Sequence, residues 1–312
     1  MKISVIIPVY NAEKYVTNAV ESALQFDEVS EVILVEDQSP DNALAVCKDL
    51  AEKYSRVKLL QHPDKGNHGA GASRNLGMKV ASGDYIAFLD ADDFYLPNRF
   101  DAERKLFKNP DVDGVYGAIG VHYWSEKAKK QYFNIYQDKL TTVYKNHPAK
   151  DVFPGLIGMR GSFGLFSIDA LTIRKSALDK MDALMKTDLK LHQDTDFLMR
   201  LAFYNNLYPG ILDEAVAVRG VHESNRISQL DSGKIKPAKT RVLLWNHLKN
   251  WAQNEPKMPD TELLHITRLH RSFEIANASI PKKWSMILKY LVKDFRSIRS
   301  GLYNINFRKE LF

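Results

Sequence analysis

At 312 residues, 45% apolar and 26% charged, the chain has the composition of an ordinary soluble globular protein and the length for one large domain plus an appendage. The single cysteine, Cys47, excludes an internal disulfide framework and a multi-cysteine zinc site, and the short apolar run after Lys2, broken by Pro8, reads as neither a secretory signal nor a bilayer span, so a cytoplasmic location is expected. The net charge of +6 is uneven: residues 234–312 carry 16 Lys and Arg against 6 Asp and Glu, a balance of +10, which leaves −4 for residues 1–233 and implies different surroundings for the two parts.

Ile3-Ser4-Val5-Ile6-Ile7-Pro8-Val9 is β-branched and apolar enough for a central strand, with Pro8 near its end where a ladder donor is spared. Asn11 is expected to cap a helix whose Tyr15, Ala19, Val20, Ala23 and Leu24 share a face. A second strand, residues 31–35, runs into Glu36-Asp37, and Ser39-Pro40-Asp41 opens the next helix with a hydroxyl cap and a proline in the first turn. Residues 57–60 form a third, shorter strand. Residues 66–77 lead small-residue turns into a helix with Ala72, Leu76 and Val80 on one side. Glycines there permit close backbone approach, and a helix N-terminus attracts anions, although the stretch matches neither the dinucleotide fingerprint nor the Walker loop.

The fourth strand carries the main chemical signal. Tyr85-Ile86-Ala87-Phe88-Leu89 follows a Ser82-Gly83-Asp84 turn and ends in Asp90, Asp92 and Asp93. Like charges gathered there cost free energy unless a cation holds them, and a hard ion such as Mg²⁺ or Mn²⁺ takes oxygen ligands while leaving positions open for phosphate oxygens. A plain turn or helix start also uses aspartates. Alternation of strand and helix over the first hundred residues implies an α/β, doubly wound, mostly parallel sheet, whose ligands bind beyond the carboxyl ends of the strands. Tyr10-Asn11, Glu36-Asp37 and the Asp90 to Asp93 run all fall at such ends.

Four segments in this order, the first strand through Tyr10-Asn11, residues 31–39, Gly71-Ala72-Ser73-Arg74-Asn75-Leu76-Gly77, and Phe88-Leu89-Asp90-Ala91-Asp92-Asp93, resemble the landmarks of family 2 glycosyltransferases of the GT-A fold. The second landmark usually carries two aspartates and here reads Glu36-Asp37. The resemblance implies a Rossmann-like GT-A domain over residues 1–230, a nucleotide-diphosphate sugar donor with UDP as the first choice, and a glycan or lipid-linked glycan acceptor, while the change to helical patterning from Asp231 marks residues 231–312 as a basic helical extension. It places donor contacts at Pro8, Tyr10, Asn11, Asp37, Arg74, Asp90 and Ala91, with Asp37 reading the base and Arg74 assisting at base or phosphate. The Asp-x-Asp run supplies Mn²⁺ or Mg²⁺ ligands at Asp92, Asp90 and Asp93.

Residues 111–183 carry fewer signals, with strand-like Val112, Val115, Tyr116, Ile119 and Val121, and glycines at 155, 158, 161 and 164 that suit either an acceptor cleft or a plain connection. In His192-Gln193-Asp194-Thr195-Asp196, Asp194 stands at the start of an amphipathic helix, a position that ordinarily means a cap. By resemblance to the family's acidic motif, Asp194 is the base that takes the acceptor proton, Gln193 replaces the usual Glu, and Asp196 is the fallback. His222, after a strand at 215–218 and within the run to Ser228, is either structural or, by resemblance, near the metal. Three apolar stripes follow, through Val242, Trp245, Leu248 and Ala252, through Leu263, Ile266, Leu269, Phe273 and Ala276, and through Trp284, Ile287, Leu288, Leu291, Val292 and Phe295. The last has Lys282, Lys283, Lys289, Lys293 and Arg296 on its polar side, which suits packing on the core, a homo-oligomer, or peripheral attachment to an anionic membrane surface.

The expected reaction is therefore inverting, metal-dependent glycosyl transfer. A sugar-phosphate nucleotidyltransferase would need a glycine-rich basic loop where the chain has Tyr10-Asn11-Ala12-Glu13, and a dinucleotide-dependent dehydrogenase fails for the same reason. A catalytically silent nucleotide-sugar-binding module is the rival from a binding class. No nucleic-acid partner is expected, because the tail's aromatics lie on apolar stripes and not on a stacking platform.

Overall fold

The computed structural model describes residues 1–181, 184–189, 191–225 and 237–296. The expected boundary at 230/231, residues 226–228 of the run after His222, and the chain beyond 296 lie outside the described residues. The chain divides into two compact units, Met1–Asp188 with Gln193–Glu223, and Leu189–His192 with Ser224–Phe312.

In the first unit, β1 (Ile3–Val9) is buried along its whole length, as a strand covered on both faces must be. It pairs in parallel with β2 (Val29–Glu36) on one side and β4 (Tyr85–Phe88) on the other, and β3 (Val57–Gln61) extends the sheet beyond β2. With β6 (Gly114–Tyr116), β8 (Leu171–Arg174) and β9 (Leu207–Pro209) the order is β3-β2-β1-β4-β8-β6-β9, in which β8 alone runs against its neighbours. The chain winds outward from β1 to β3 and then returns to the other side of β1, so the switch point lies between β1 and β4. A ligand crevice belongs at the carboxyl ends of those two strands. A second sheet sets β10 (Ala215–Val221) between β5 (Phe94–Tyr95) and β7 (Ala118–Tyr123).

The helices α1 (Val16–Leu24), α2 (Ala43–Lys53) and α3 (Ala70–Val80) alternate with these strands, followed by α4 (Asp101–Leu106), α5 (Glu126–Tyr136), α6 (Ala149–Leu156) and α7 (Gln193–Tyr204). Three local expectations change. Ser39 does not cap α2 and Pro40 is not in its first turn, because the helix begins only at Ala43, after Asn42, with no side-chain cap bond. Asn11 does not cap α1: it adopts a left-handed φ of 53°, and the helix begins only at Val16. The intervening residues are tied to the segment after β2, with Asn11 N–H donating to Ser39 Oγ at 3.3 Å and Glu13 N–H to Asp41 Oδ2 at 2.8 Å. The buried side of α3 is Gly71, Ser73, Arg74, Gly77 and Met78, whereas Val80 is exposed. The helix is rotated this way because its bare glycine edge reaches the sheet, where a Cβ on Gly77 would stand 2.5 Å from Ile6, and because Arg74 finds acids beneath it.

The second unit contains α8 (Pro237–Asn254), α9 (Asp260–Asn277) and α10 (Ile280–Lys293). Trp245 of α8 stacks with Phe273 of α9 at 6.5 Å between centroids, and Ile275 and Ala276 of α9 hold Met286, Ile287 and Tyr290 of α10. Among the described residues no helix is long and apolar enough to cross a membrane.

Candidate active site

β4 ends in a tight turn, closed by Asp93 N–H donating to the Asp90 carbonyl at 3.1 Å. Beneath it stands a buried acid not singled out in the sequence, Asp169, on a 3₁₀ turn (Ile168–Ala170) that leads into β8. Its Oδ1 accepts the Asp90 N–H at 3.0 Å, and its Oδ2 accepts Ser167 Oγ–H at 2.7 Å. Carboxylate oxygens of Asp90, Asp93 and Asp169 all lie within 4.8 Å of one another.

This crowding has an electrostatic signature. Burial, reinforced by Asp169, Asp92 and Asp90, pushes the Asp93 carboxyl well above the usual carboxylate range. Burial, then the charge of Asp90, pushes Asp169 up to about 6. Arg74 supplies positive charge by donating to Asp90; burial alone would weaken its hold on a proton, but Asp90, Asp169 and Asp194 together raise its pKa. Its Nε is buried without a hydrogen-bond partner. Two guanidinium charges, Arg74 in contact with Asp90 and Arg219 acting on Asp93 and Asp169 through its charge, against four carboxyls leave a deficit of positive charge, and the donors are all oxygen. That set fits a hard divalent cation such as Mg²⁺ or Mn²⁺.

The remaining two groups of the expected metal set form their own pair. Asp92 Oδ2 is 3.0 Å from Nε2 of the buried His222, and Asp93 Oδ1 accepts the N–H of Gly220, two residues before that histidine, at 2.8 Å. The structure therefore brings Asp169 to Asp90 and Asp93, and His222 to Asp92, so that both meet the single turn after β4.

On the donor side, Pro8 sits within the β1–β2 ladder opposite Val35, Ala91 is buried in the acidic turn, and Tyr10 and Asn11 are exposed just past β1. Asp37 is buried, and its two oxygens accept the backbone N–H groups of His68 and Gly69, each at 2.7 Å. Two bonds leave acceptor capacity on a carboxylate. In the structure as it stands, however, the acid fastens the loop that enters α3.

Asp194 lies exposed in the first turn of α7, with Oδ1 accepting the Thr195 N–H at 2.9 Å, and its charge reaches Arg74. Asp196, the fallback, is buried and its Oδ2 accepts from Arg200 at 2.8 and 2.6 Å, the geometry of a structural ion pair. Gln193 reaches in the other direction, its Oε1 accepting the Gly71 N–H at 3.0 Å, where a Cβ on Gly71 would stand 2.7 Å from the amide. Asp194 thus sits next to a residue that fixes the N-terminus of the helix bearing Arg74. Asp169 had no signal in the sequence beyond a Ser167-x-Asp turn pattern.

A family model described as glycosyl transferase family 2 matches residues 4–164. The glycosyltransferase GlyG of Streptococcus pneumoniae is 37% identical over 116 residues, 37% of this chain and 38% of that protein. The minor teichoic acid biosynthesis protein GgaB of Bacillus subtilis is 41% identical over 108 residues, 33% of this chain and 12% of that protein. The matched stretch is therefore well under two thirds of either relative. Among solved structures, S. aureus TarS 1–349 in complex with UDP-GlcNAc superposes with a TM-score of 0.63 at 21% identity, covering 88% of this chain and 72% of that one. A mannosyltransferase from Pyrobaculum calidifontis, in complex with GDP-Man and Mn²⁺, gives 0.58 at 16% identity, covering 100% and 87%. At these identities the structural likeness speaks for the fold.

Proposed function

The chain belongs to glycosyl transferase family 2, and from that premise we propose that it moves a sugar from a nucleotide-diphosphate donor, a UDP-sugar in the first instance, to a hydroxyl of a glycan or lipid-linked glycan, as in bacterial-type surface polysaccharide synthesis. The observation that carries the reading is the meeting of Asp90, Asp93, Asp169 and Arg74 at the end of β4, next to the sheet's switch point, with more acid than the protein itself neutralises. The nucleotide-sugars in the TarS and mannosyltransferase complexes, and the teichoic acid biosynthesis in the name of GgaB, support the substrate class.

In this reading Asp92, Asp90, Asp93 and His222 would hold Mn²⁺ or Mg²⁺, with Asp169 fixing the turn from below. Bound there, the ion would supply neutralisation of the charge that gathers on the departing diphosphate. Pro8, Tyr10, Asn11, Asp37 and Ala91 bind the nucleotide, and Arg74 keeps Asp90 in place while contributing positive potential. Asp194 accepts the proton of the acceptor hydroxyl as its oxygen bonds to the anomeric carbon. The bond from that carbon to the phosphate oxygen breaks on the opposite face, its electron pair leaves with the nucleoside diphosphate, and the configuration inverts.

The test is metal-dependent hydrolysis and transfer across a panel of UDP-sugars, with Asp194→Asn beside the wild type. Asn keeps the volume and caps a helix about as well as Asp, so donor affinity and stability should persist while turnover falls by about 10²–10⁴. Near wild-type turnover would leave Asp194 as a helix cap.

The transferase domain is proposed to run to about residue 230, with the helical extension attached to the cytoplasmic face of a membrane. Among the described residues, Trp284, Leu288 and Val292 of α10 are 58%, 64% and 90% exposed and share one side, while Met286, Ile287 and Tyr290 turn to α9. Lys282, Lys289 and Lys293 are exposed beside that open side, the partition of a helix that lies in an anionic interface. The intact protein should sediment with anionic vesicles at low salt and be released at high salt. Failure to sediment at low salt would make the face a packing or dimer surface.

A further inference from the structure

Two aromatic residues that the donor and metal assignments leave unused bear on Asp92, Trp124 directly and Tyr15 through His222. The Asp92 carbonyl accepts the indole Nε1–H of Trp124 at 3.1 Å. Its Oδ2 meets His222 Nε2 at 3.0 Å, and the imidazole is stacked on Tyr15 at 4.5 Å between centroids with planes 19° apart. Tyr15 and Trp124 also touch, at 5.1 Å.

These contacts are built into the second sheet. β7 and β10 run parallel with His122 opposite Gly220 and Tyr123 opposite Val221, and the Trp124 N–H continues the ladder to the Val221 carbonyl at 2.9 Å. Trp124 and His222 therefore leave their strands at the same level and reach the same aspartate. Between them Gly220 has no room for a side chain: a Cβ would lie 1.9 Å from the Asp92 carbonyl oxygen and 2.2 Å from Trp124 Nε1. The bare glycine lets the acidic turn rest on β10 while its N–H holds Asp93. An indole N–H is a donor only, so directing it at a main-chain carbonyl spends its one polar contact on the turn.

We propose that Trp124 and Tyr15 are positioning residues for the metal face of Asp92, Trp124 through the backbone carbonyl and Tyr15 through His222. The inference rests on the metal-diphosphate reading of that aspartate. Ions that demand near-ideal geometry are sensitive to the groups that orient their ligands, and loss of such a partner commonly costs 10–100-fold in metal affinity. Neither aromatic residue need touch the substrate to act in this way.

The experiment measures UDP affinity by calorimetry with Mn²⁺ and with EDTA, alongside thermal melts, for wild type, Trp124→Phe and Tyr15→Leu. Phe keeps a ring without the N–H, and Leu keeps bulk without the stack. The affinity gained on adding Mn²⁺ should fall by about 10-fold in each variant, the low end for an orienting partner, while affinity in EDTA stays at the wild-type value. A lower melting temperature with the Mn²⁺ gain intact would mean packing alone and overturn the inference. Should Trp124→Phe fail to fold, Tyr15→Leu decides. A wild type without any Mn²⁺ gain removes the metal reading and this inference together; a wild-type gain that both variants retain removes this inference alone.

Discussion

The ends of β2 and β4 open on the same edge of one sheet and both carry acids, but those acids meet different partners. At the end of β2, Glu36 accepts the Ser39 N–H at 2.5 Å and Gln61 Nε2–H at 2.7 Å, and Asp37 accepts two loop N–H groups. Donors from the protein's own chain meet both, and the buried His62 stands with Nε2 3.4 Å from Asp37 Oδ1. At the end of β4 the acids face one another and Asp169, with Arg74 bonded to Asp90 and Arg219 acting on Asp93 and Asp169 through its charge. The first arrangement builds a loop, and the second leaves charge for something else to neutralise. Buried carboxylates are tolerated where donors outnumber them and become sites where they do not.

The largest expected effect breaks the comparison on the β4 side. Asp92→Asn should abolish the Mn²⁺-dependent part of UDP binding while leaving the melting temperature near wild type, because it removes a ligand charge from a half-exposed side chain. Unchanged UDP-Mn²⁺ affinity by calorimetry would put the β4 acids in the same structural class as those of β2. On the β2 side, Asp37→Ala should weaken nucleotide binding by about 1.5–3 kcal/mol, the range for a hydrogen bond to a charged group, equally with and without metal. Equal nucleotide affinity in both proteins would leave Asp37 with its loop-fastening role alone.

The smallest effect is in the pH dependence of stability, and its sign differs between two buried acids. Asp169 is raised from an ordinary 3.8 to about 6, so the stability it contributes is present below the ordinary value and is lost as pH rises through about 6. In EDTA, the melting temperature of wild type relative to Asp169→Asn should therefore fall between pH 4 and about 6.5, and Mn²⁺ should restore it. Glu31, at the other end of β2, is the opposite case: burial works to raise it, but bonds from Lys58, Ser4 and Ser82 win and hold it at about 2, below its ordinary 4.5. Its contribution is present above 4.5 and is lost as pH falls through about 2, so Glu31→Gln should lower stability at neutral pH and matter less in acid. A flat wild-type-minus-Asp169→Asn difference would mean that the β4 acids are less crowded than their geometry indicates.

Much of the fold is legible in the chain itself. The unbroken apolar run of β1 predicts a strand covered on both faces, and strand-helix alternation through residue 88 predicts the parallel order in which all carboxyl ends share one edge. That geometry is why Tyr10-Asn11, Glu36-Asp37 and Asp90 to Asp93 come to the same edge without any long-range information. The α1 start and the buried side of α3 differ from expectation because each was decided by a partner from another segment: Ser39 and Asp41 in the first case, Ile6 and Asp90 in the second.

The local pattern of side chains thus determined the strands, the edge on which they open and the acids placed there, since hydrophobic period and turn chemistry act over a few residues. What those acids touch was decided only by the tertiary structure. Asp169 is 79 residues from the backbone N–H it holds, Gln193 is 122 from Gly71, and His222 is 130 from Asp92. Side-chain contacts across such separations are set by sheet order and strand register, and no spacing within the sequence records them.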